Sequence, residues 1–472
     1  MLLKISKFFL YLSVFSVVIV MTSTFFPFIG GKYYFFRVSV ELALIFFILW
    51  WAIEAKENEV ENRIKSIAHH PLVLGVSAFV LAFLLASIFA YNTDAAFWSN
   101  FERGEGGFQM LHYFLFFILL ILTFENQLEW KRIFKLSLGA AVLMILYGVF
   151  AQLGWSDRFI TPYVSGPLPT TFWSKLVSAR FQGSLGNPAY VAPYLIFSIF
   201  YAFYLWFSHP SKKPILRGTL YGLLIFFFLF FFVLSETKGA FIGLLLAVFG
   251  FFVYLSITSP RFRKLALGTI LGLAVLVGML ISFRHSNFVQ KIPGGRFFQI
   301  FDVALSPGDK ESESNRSLET RFWTWGSAWQ GFKERPILGW GPENFSVVFD
   351  AHFDSRHFIP DKQSETWFDR AHSIIFDYLA TTGILGLLSY LSIFVIFLFL
   401  IFRREQREAN VDAPAPENDF IDRPHLLKGL LLAVFIGYFI QGLILFDVLP
   451  IYLNLFIVLA FGVYSFQTKK AV

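Results

Sequence analysis

The sequence predicts an all-α integral membrane protein, on three observations. Hydrophobic residues fill 56% of the 472 positions and charged residues 15%, against roughly 45–50% and 25% in a soluble domain. There are 64 phenylalanines, too many for one water-soluble core to cover. Apolar runs near the ~20 residues that cross a bilayer as a helix recur along the whole length, with basic clusters in alternate connections.

Taken in order, the runs fall at about 8–29, 33–54, 71–90, 108–124, 133–153, 190–207, 217–234, 239–257, 265–283, 374–401, 427–446 and 448–466. The first is too long for a signal-peptide core, and Thr22-Ser23-Thr24 lacks a small-residue cleavage pattern, so it reads as a first membrane helix. Basic residues gather at Lys4 and Lys7; Lys56, Arg63 and Lys65; Lys131 and Arg132; and Lys212, Lys213 and Arg217. They recur at Arg261, Arg263 and Lys264; Arg403, Arg404 and Arg407; and Lys469 and Lys470. These connections face the cytoplasm by the positive-inside rule, which puts both termini there and requires an even number of spans, about twelve.

The net charge of +7 belongs to this orienting pattern and implies no nucleic-acid partner; the partner is the lipid bilayer. With no cysteine in the chain, disulfides and thiolate chemistry are excluded. Walker A loop and Ser-His-Asp framework are lacking, so an ATP-driven pump and a triad hydrolase are set aside.

Residues 1–472 read as a single polytopic domain without internal repeat. Its external side carries connections at about 91–107, 154–189 and 284–373. The last, between the ninth and tenth spans, is long enough to be functional. On the cytoplasmic side, 408–422 (EANVDAPAPENDFID) is acidic and proline-rich, the composition of a disordered linker.

Within the large loop, 319–334 has helical periodicity, with Phe322, Trp325, Trp329 and Phe332 on one face. That face suits either the headgroup region or the loop's own core. Pro336, Gly339, Gly341 and Pro342 then impose a turn-rich stop.

Four external clusters carry chemistry-bearing residues: FERGEGG at 101–107 with Arg103, RFQGSLGNP at 180–188, SETKGA at 235–240, and Arg321 together with DRAHS at 369–373. Singly each has a plain structural reading. Lys238 can snorkel beside a capping Ser235 or Thr237, Arg180 and Arg321 can anchor headgroups, and His372 can cap a helix. Together they suit a phosphate at headgroup depth. Arginine forks bind phosphate oxygens bidentately, histidine serves as a base near neutral pH, and glycines beside helix N-termini let backbone N–H groups approach an anion. Asp350, His352, Asp354 and His357 offer a possible metal cluster, but one such group on a loop is a weak signal and no metal is assigned.

The order RxxGxxGNP, S-x-x-[RK]-GA, R-x-W…RPxxGWGPENF and H-[NS]…GILGLL resembles the O-antigen ligase superfamily, from about Arg103 to Asp447. That group takes in O-antigen ligases, O-antigen polymerases and bacterial protein O-oligosaccharyltransferases. The resemblance implies a GT-C-like, metal-independent, inverting glycosyltransferase without cofactor. Its donor would be an undecaprenyl-pyrophosphate-linked glycan and its acceptor a hydroxyl of lipid A–core, glycan or protein. It would sit in the inner (cytoplasmic) membrane with its active site on the periplasmic or external face. Carried over by motif, Arg180, Lys238 and Arg321 hold the pyrophosphate, and His372 orients or deprotonates the acceptor, with Arg321 also in the catalytic set. Arg103, Glu236 and Asp369 are supporting candidates. Lys238 stands where the family commonly has arginine, and Ser373 where asparagine is frequent. The alternative from another class is a transporter or flippase of lipid-linked saccharides. Against it, the charges gather at one interface and not at the midplane.

Overall fold

The computed structural model describes residues 1–100, 104–155, 159–162, 170–208, 213–286, 297, 313–358, 366–403 and 424–467. Among them every regular element is helical. The chain begins with α1 (Leu2–Ser13), α2 (Gly30–Ile53), α3 (Glu59–Ala68), α4 (Pro71–Ile88), α5 (Thr93–Trp98) and α6 (Gly107–Thr123). It continues with α7 (Gln127–Leu153), α8 (Phe172–Leu176), α9 (Pro188–Phe207), α10 (Pro214–Leu234), α11 (Lys238–Thr258) and α12 (Arg263–Ser282). Last come α13 (Glu313–Glu334), α14 (Phe345–Ala351), α15 (Ile374–Phe402), α16 (Pro424–Gly442) and α17 (Leu449–Phe466). Nine helices among the described residues are long and apolar enough to cross a membrane, so this is a multi-pass, all-α membrane protein. The segment 408–422 lies outside the described residues.

Local chemistry sets the helix ends. Asn187 caps α9 by accepting Ala189 N–H at 2.8 Å, and Pro188 takes the first helical position, where its missing N–H costs nothing. A capping box of Asn126 and Glu129 starts α7 at Gln127, ahead of the expected 133. The first span differs more. α1 runs on only through a 3-10 turn to Val18, and the chain then turns. The Thr24 hydroxyl bonds Met21 O at 2.8 Å, the competing local hydrogen bond that hydroxyl residues offer against helix, and Pro27 has no N–H to donate.

The most enclosed spans are α17 and α9, whereas α10 and α11 are largely open to the outside. Leu216, Leu220 and Leu223 on α10, and Leu267, Leu271 and Val275 on α12, point outward. Such stripes would be a liability in water but are the proper surface toward hydrocarbon. α11 packs most extensively on α16. A Cβ on Gly243 would lie 2.7 Å from Gly437 O, and one on Gly239 would lie 1.9 Å from Ile444 Cδ1. This is the small-residue crossing that lets membrane helices approach backbone to backbone, and it places Lys238 beside the turn that joins α16 to α17.

Beyond the spans, α13 and α14 enclose a second small core with Ala328, Trp340, Phe349, Phe368 and Ala371. The aromatic face of α13 divides between the two expected roles. Trp325 stacks on Phe376 (5.0 Å, 11°) and Phe332 packs on the main core, while Phe322 and Trp329 are exposed.

The stretch 335–341 does more than stop α13: it crosses α15 where that helix breaks. Gly383 has φ +64° and ψ −165°, which releases the carbonyls of the preceding turn. Trp340 N–H bonds Ala380 O at 2.9 Å and Gly341 N–H bonds Thr381 O at 2.8 Å, while Ile384 N–H bonds Pro336 O at 2.8 Å. The orphaned groups of the broken helix are thereby satisfied.

Candidate active site

The site is assembled around the turn between α16 and α17. On one side the α11 start packs on it through Gly239 and Ile444. On the other, Phe446 meets the His372 ring edge-on at 5.3 Å and Tyr190 at 6.2 Å. Gly442 packs against Ile374, the first residue of α15. Three of the four clusters expected from sequence therefore converge on one short turn, one that sequence reasoning assigned no role. The fourth enters at the rear through Glu105; Arg103 lies outside the described residues.

Arg180 is exposed, and its Nε donates to Ser235 O at 3.0 Å while an Nη donates to the Thr237 hydroxyl at 3.3 Å. Phe181 N–H bonds Leu234 O at 2.9 Å, so the two clusters are laced together by backbone and side chain. Thr237 in turn donates to Pro188 O at 3.0 Å, which ties the tight turn to the head of α9. Lys238 and Glu236 on this turn are half-buried, and Glu236 is in the left-handed region at φ +49°.

The glycines of this region have a packing role. Gly183 and Gly186 have φ of +54° and +73°, and a Cβ on either would lie 2.2 Å from Met144 Sδ or 2.4 Å from Phe28 Cγ. With the Gly239 contact on Ile444, these close approaches account for glycines that the sequence suggested as anion-approach positions.

Arg321 lies one turn before Trp325 on the same face of α13, and Trp325 Nε1 donates to Ala371 O at 3.0 Å. Through that bond the arginine helix is registered against the histidine segment. His372 is half-buried and left-handed, φ +51°, an unfavourable backbone for a residue with a Cβ. Its Nδ1 faces Arg370 O at 3.2 Å, and its ring is flanked by Phe368 and Phe446, each at 5.3 Å. A carbonyl oxygen only accepts, so Nδ1 carries the proton and the neutral ring has its lone pair on Nε2. Asp369 is half-buried beside this group.

Sequence reasoning passed over Arg370. It is 7% exposed and surrounded by the carboxylates of Glu105, Glu343 and Asp377 at 3.3, 2.6 and 2.9 Å. Burial alone lowers a guanidinium pKa, but here these carboxylates more than offset it and hold Arg370 firmly charged. A run of three carboxylates scattered from 105 to 377 leaves no local signal to find.

The ligand-type residues at 350–357 face other partners. Asp350 accepts Trp367 Nε1–H at 3.0 Å. Arg356 Nε donates to Asp354 at 2.9 Å, and that hydrogen bond holds the Asp354 carboxyl down at about 2. His357 sits in a cage of Trp323, Phe349 and Phe368, and burial lowers its pKa below the ordinary imidazole value. Among the described residues no group of three or more His, Asp or Glu side chains is arranged to hold a metal.

A wholly apolar cavity of about 400 Å³ opens between α9, α11, α12 and α16, lined by residues such as Phe200, Phe203, Leu244, Phe251 and Leu430. It follows the later turns of α9, from Ile196 to Phe207, and of α11, from Leu244 to Leu255, away from the cationic turn at which both helices start.

Fold and site together define a polytopic membrane protein with cations and an imidazole gathered at the ends of its helices. Residues 223–391 match the family model described as O-antigen ligase, which places the stretch from α10 into α15 in the O-antigen ligase superfamily. That family is one of membrane glycosyltransferases. None of the curated proteins compared with the chain matches it significantly.

Proposed function

We propose that this protein transfers a glycan from an undecaprenyl-pyrophosphate carrier to an acceptor hydroxyl, with inversion and without a metal, on the external face of the bacterial inner membrane. In this reading about twelve spans form a GT-C-like body with cytoplasmic termini, and α13 and α14 of the connection between the ninth and tenth spans stand on the external side. The observation that carries it is the meeting of the 235–240 turn, braced by Arg180, and His372 at the single turn between α16 and α17, with the Arg321 helix tied to Ala371 through Trp325.

Arg180, Lys238 and Arg321 hold the pyrophosphate, where fixed cations stabilise charge that grows as the carrier departs. The carrier's polyprenyl tail follows α9 and α11 into the apolar cavity below. His372 Nε2 accepts the hydroxyl proton as the acceptor oxygen attacks the anomeric carbon. The C–O bond to the pyrophosphate breaks with its electron pair, and the pyrophosphate leaves as an anion on the cations.

The test uses purified protein in nanodiscs with EDTA, undecaprenyl-pyrophosphate-linked glycan, and lipid A–core, a second lipid-linked glycan or a serine peptide as acceptor. Glycan on one acceptor with release of undecaprenyl pyrophosphate supports the reading and identifies the acceptor class. Folded protein that binds donor yet transfers to none of the three sinks it.

A further inference from the structure

Arg370 has no part in the chemistry above, yet it lies two residues before His372 and is held by three carboxylates. Its three carboxylate partners come from three separate segments: Glu105 just before α6, Glu343 in the turn before α14, and Asp377 in the first turn of α15. Each of these is itself anchored. The Tyr33 hydroxyl donates to Glu105, the Ser99 hydroxyl donates to Glu343 at 2.9 Å, and Asp377 accepts Ala371 N–H at 3.2 Å.

One buried guanidinium among three buried carboxylates is a poor device for stability, since well-packed apolar side chains generally do as well or better. What such a cluster gives is a defined position, and the position defined here is that of residues 370–372. Arg370 is fixed through its side chain and accepts from His372 Nδ1 through its carbonyl. Ala371 is fixed at both ends, by Asp377 on its N–H and Trp325 on its carbonyl. His372 follows in the left-handed conformation, which is unfavourable for a residue with a Cβ and persists only where surrounding contacts over-determine it.

We infer that Arg370, clamped by Glu105, Glu343 and Asp377, is the positioning residue that holds His372 in its left-handed conformation, with Nε2 aimed at the acceptor hydroxyl. This rests on the transferase reading above. Arg370 itself touches neither donor nor acceptor. The two external segments that contribute Glu105 and Glu343 are thereby coupled to the placement of the base.

The test compares wild type with Arg370→Lys and with the isosteric Glu105→Gln and Asp377→Asn, which keep the shape of the clamp if the lysine variant does not fold. Transfer is measured per molecule able to bind undecaprenyl pyrophosphate, so that loss of folded protein cancels out. The expected result is a donor KM within about twofold of wild type and a kcat lower by tenfold or more, the scale of effect that about 1 Å of misplacement produces. On a His372→Ala background, Asp377→Asn should then change the residual rate by less than about twofold, because both act through one group. Variants with full kcat per donor-binding molecule, showing only lower yield or melting temperature, would reduce Arg370 to a structural role and overturn the inference. A wild type that binds donor but transfers to no acceptor in the same series defeats the transferase reading, and the inference with it.

Discussion

At the scale of single residues, the site combines one strained imidazole with cations that brace each other's supports. Replacing His372 with alanine should lower transfer by about 10²–10⁴-fold, the usual worth of a positioned base, while leaving donor binding intact. Rate and undecaprenyl-pyrophosphate affinity measured together check this, and a variant retaining full transfer would remove His372 from the chemistry. Arg180 also braces the 235–237 turn with its planar fork, so Arg180→Lys should lose transfer by roughly tenfold although the charge is kept.

His357 makes a prediction about pH. Its folded pKa is depressed by burial, so below about 6.5 the unfolded chain binds the proton more readily than the native one. Its contribution to stability is therefore complete above that pH and declines as pH falls toward the folded value. His357→Phe should leave the melting temperature near pH 8 little changed and raise it near pH 5.5; equal shifts at both would contradict this.

These residues differed in how visible they were. Arg321 and His372 stand in recognisable local patterns, whereas Arg370 is marked only by a cluster that joins Asp377 to Glu343 and the far-off Glu105. Glycines 183, 186 and 239 were visible but ambiguous, because a glycine needed for close packing and one needed for anion approach look alike in sequence.

At the scale of elements, the deciding feature is the break in α15 and the segment laid across it. Gly341 has φ +96°, and a Cβ there would meet the Ala90 Cβ at 2.2 Å. Gly341→Ala should thus destabilise the protein by about 1–3 kcal/mol, read from thermal unfolding in detergent, and should slow transfer because the same segment carries Glu343. The turn chemistry of RPILGWG was legible from its prolines and glycines. Its partner was not: Gly383 lies inside a long apolar run, and hydropathy averaged over a window passes over one left-handed residue. The reverse held for the first span, where apolar composition continued past Val18, at which the helix ends, into the turn held by Thr24 and Pro27.

At the scale of the whole molecule, lipid-facing and protein-facing surfaces are distinguished by position and not by polarity. On α10 the outward Leu216, Leu220 and Leu223 are as apolar as the buried Ile225, Phe228 and Leu234. Topology is directly testable because the chain has no cysteine. In intact cells His285→Cys should react with a membrane-impermeant maleimide and Arg261→Cys should not; the opposite pattern would invert the orientation inferred from the basic clusters.

By itself the sequence determined that the chain crosses a membrane as helices, where most of those helices begin and end, and which family model its central stretch matches. Length, hydropathy, caps and motif order are properties of neighbouring residues, and neighbours are enough to express them. Only the tertiary structure decided that the start of α11 and His372 meet at one turn between α16 and α17, with α13 registered on Ala371 beside them. It alone paired Arg370 with Glu105, Glu343 and Asp377. In a membrane every helix is apolar on all sides, so pattern does not say which face meets which. That choice is made by close glycine crossings and buried charge, which exist only once distant segments have packed together.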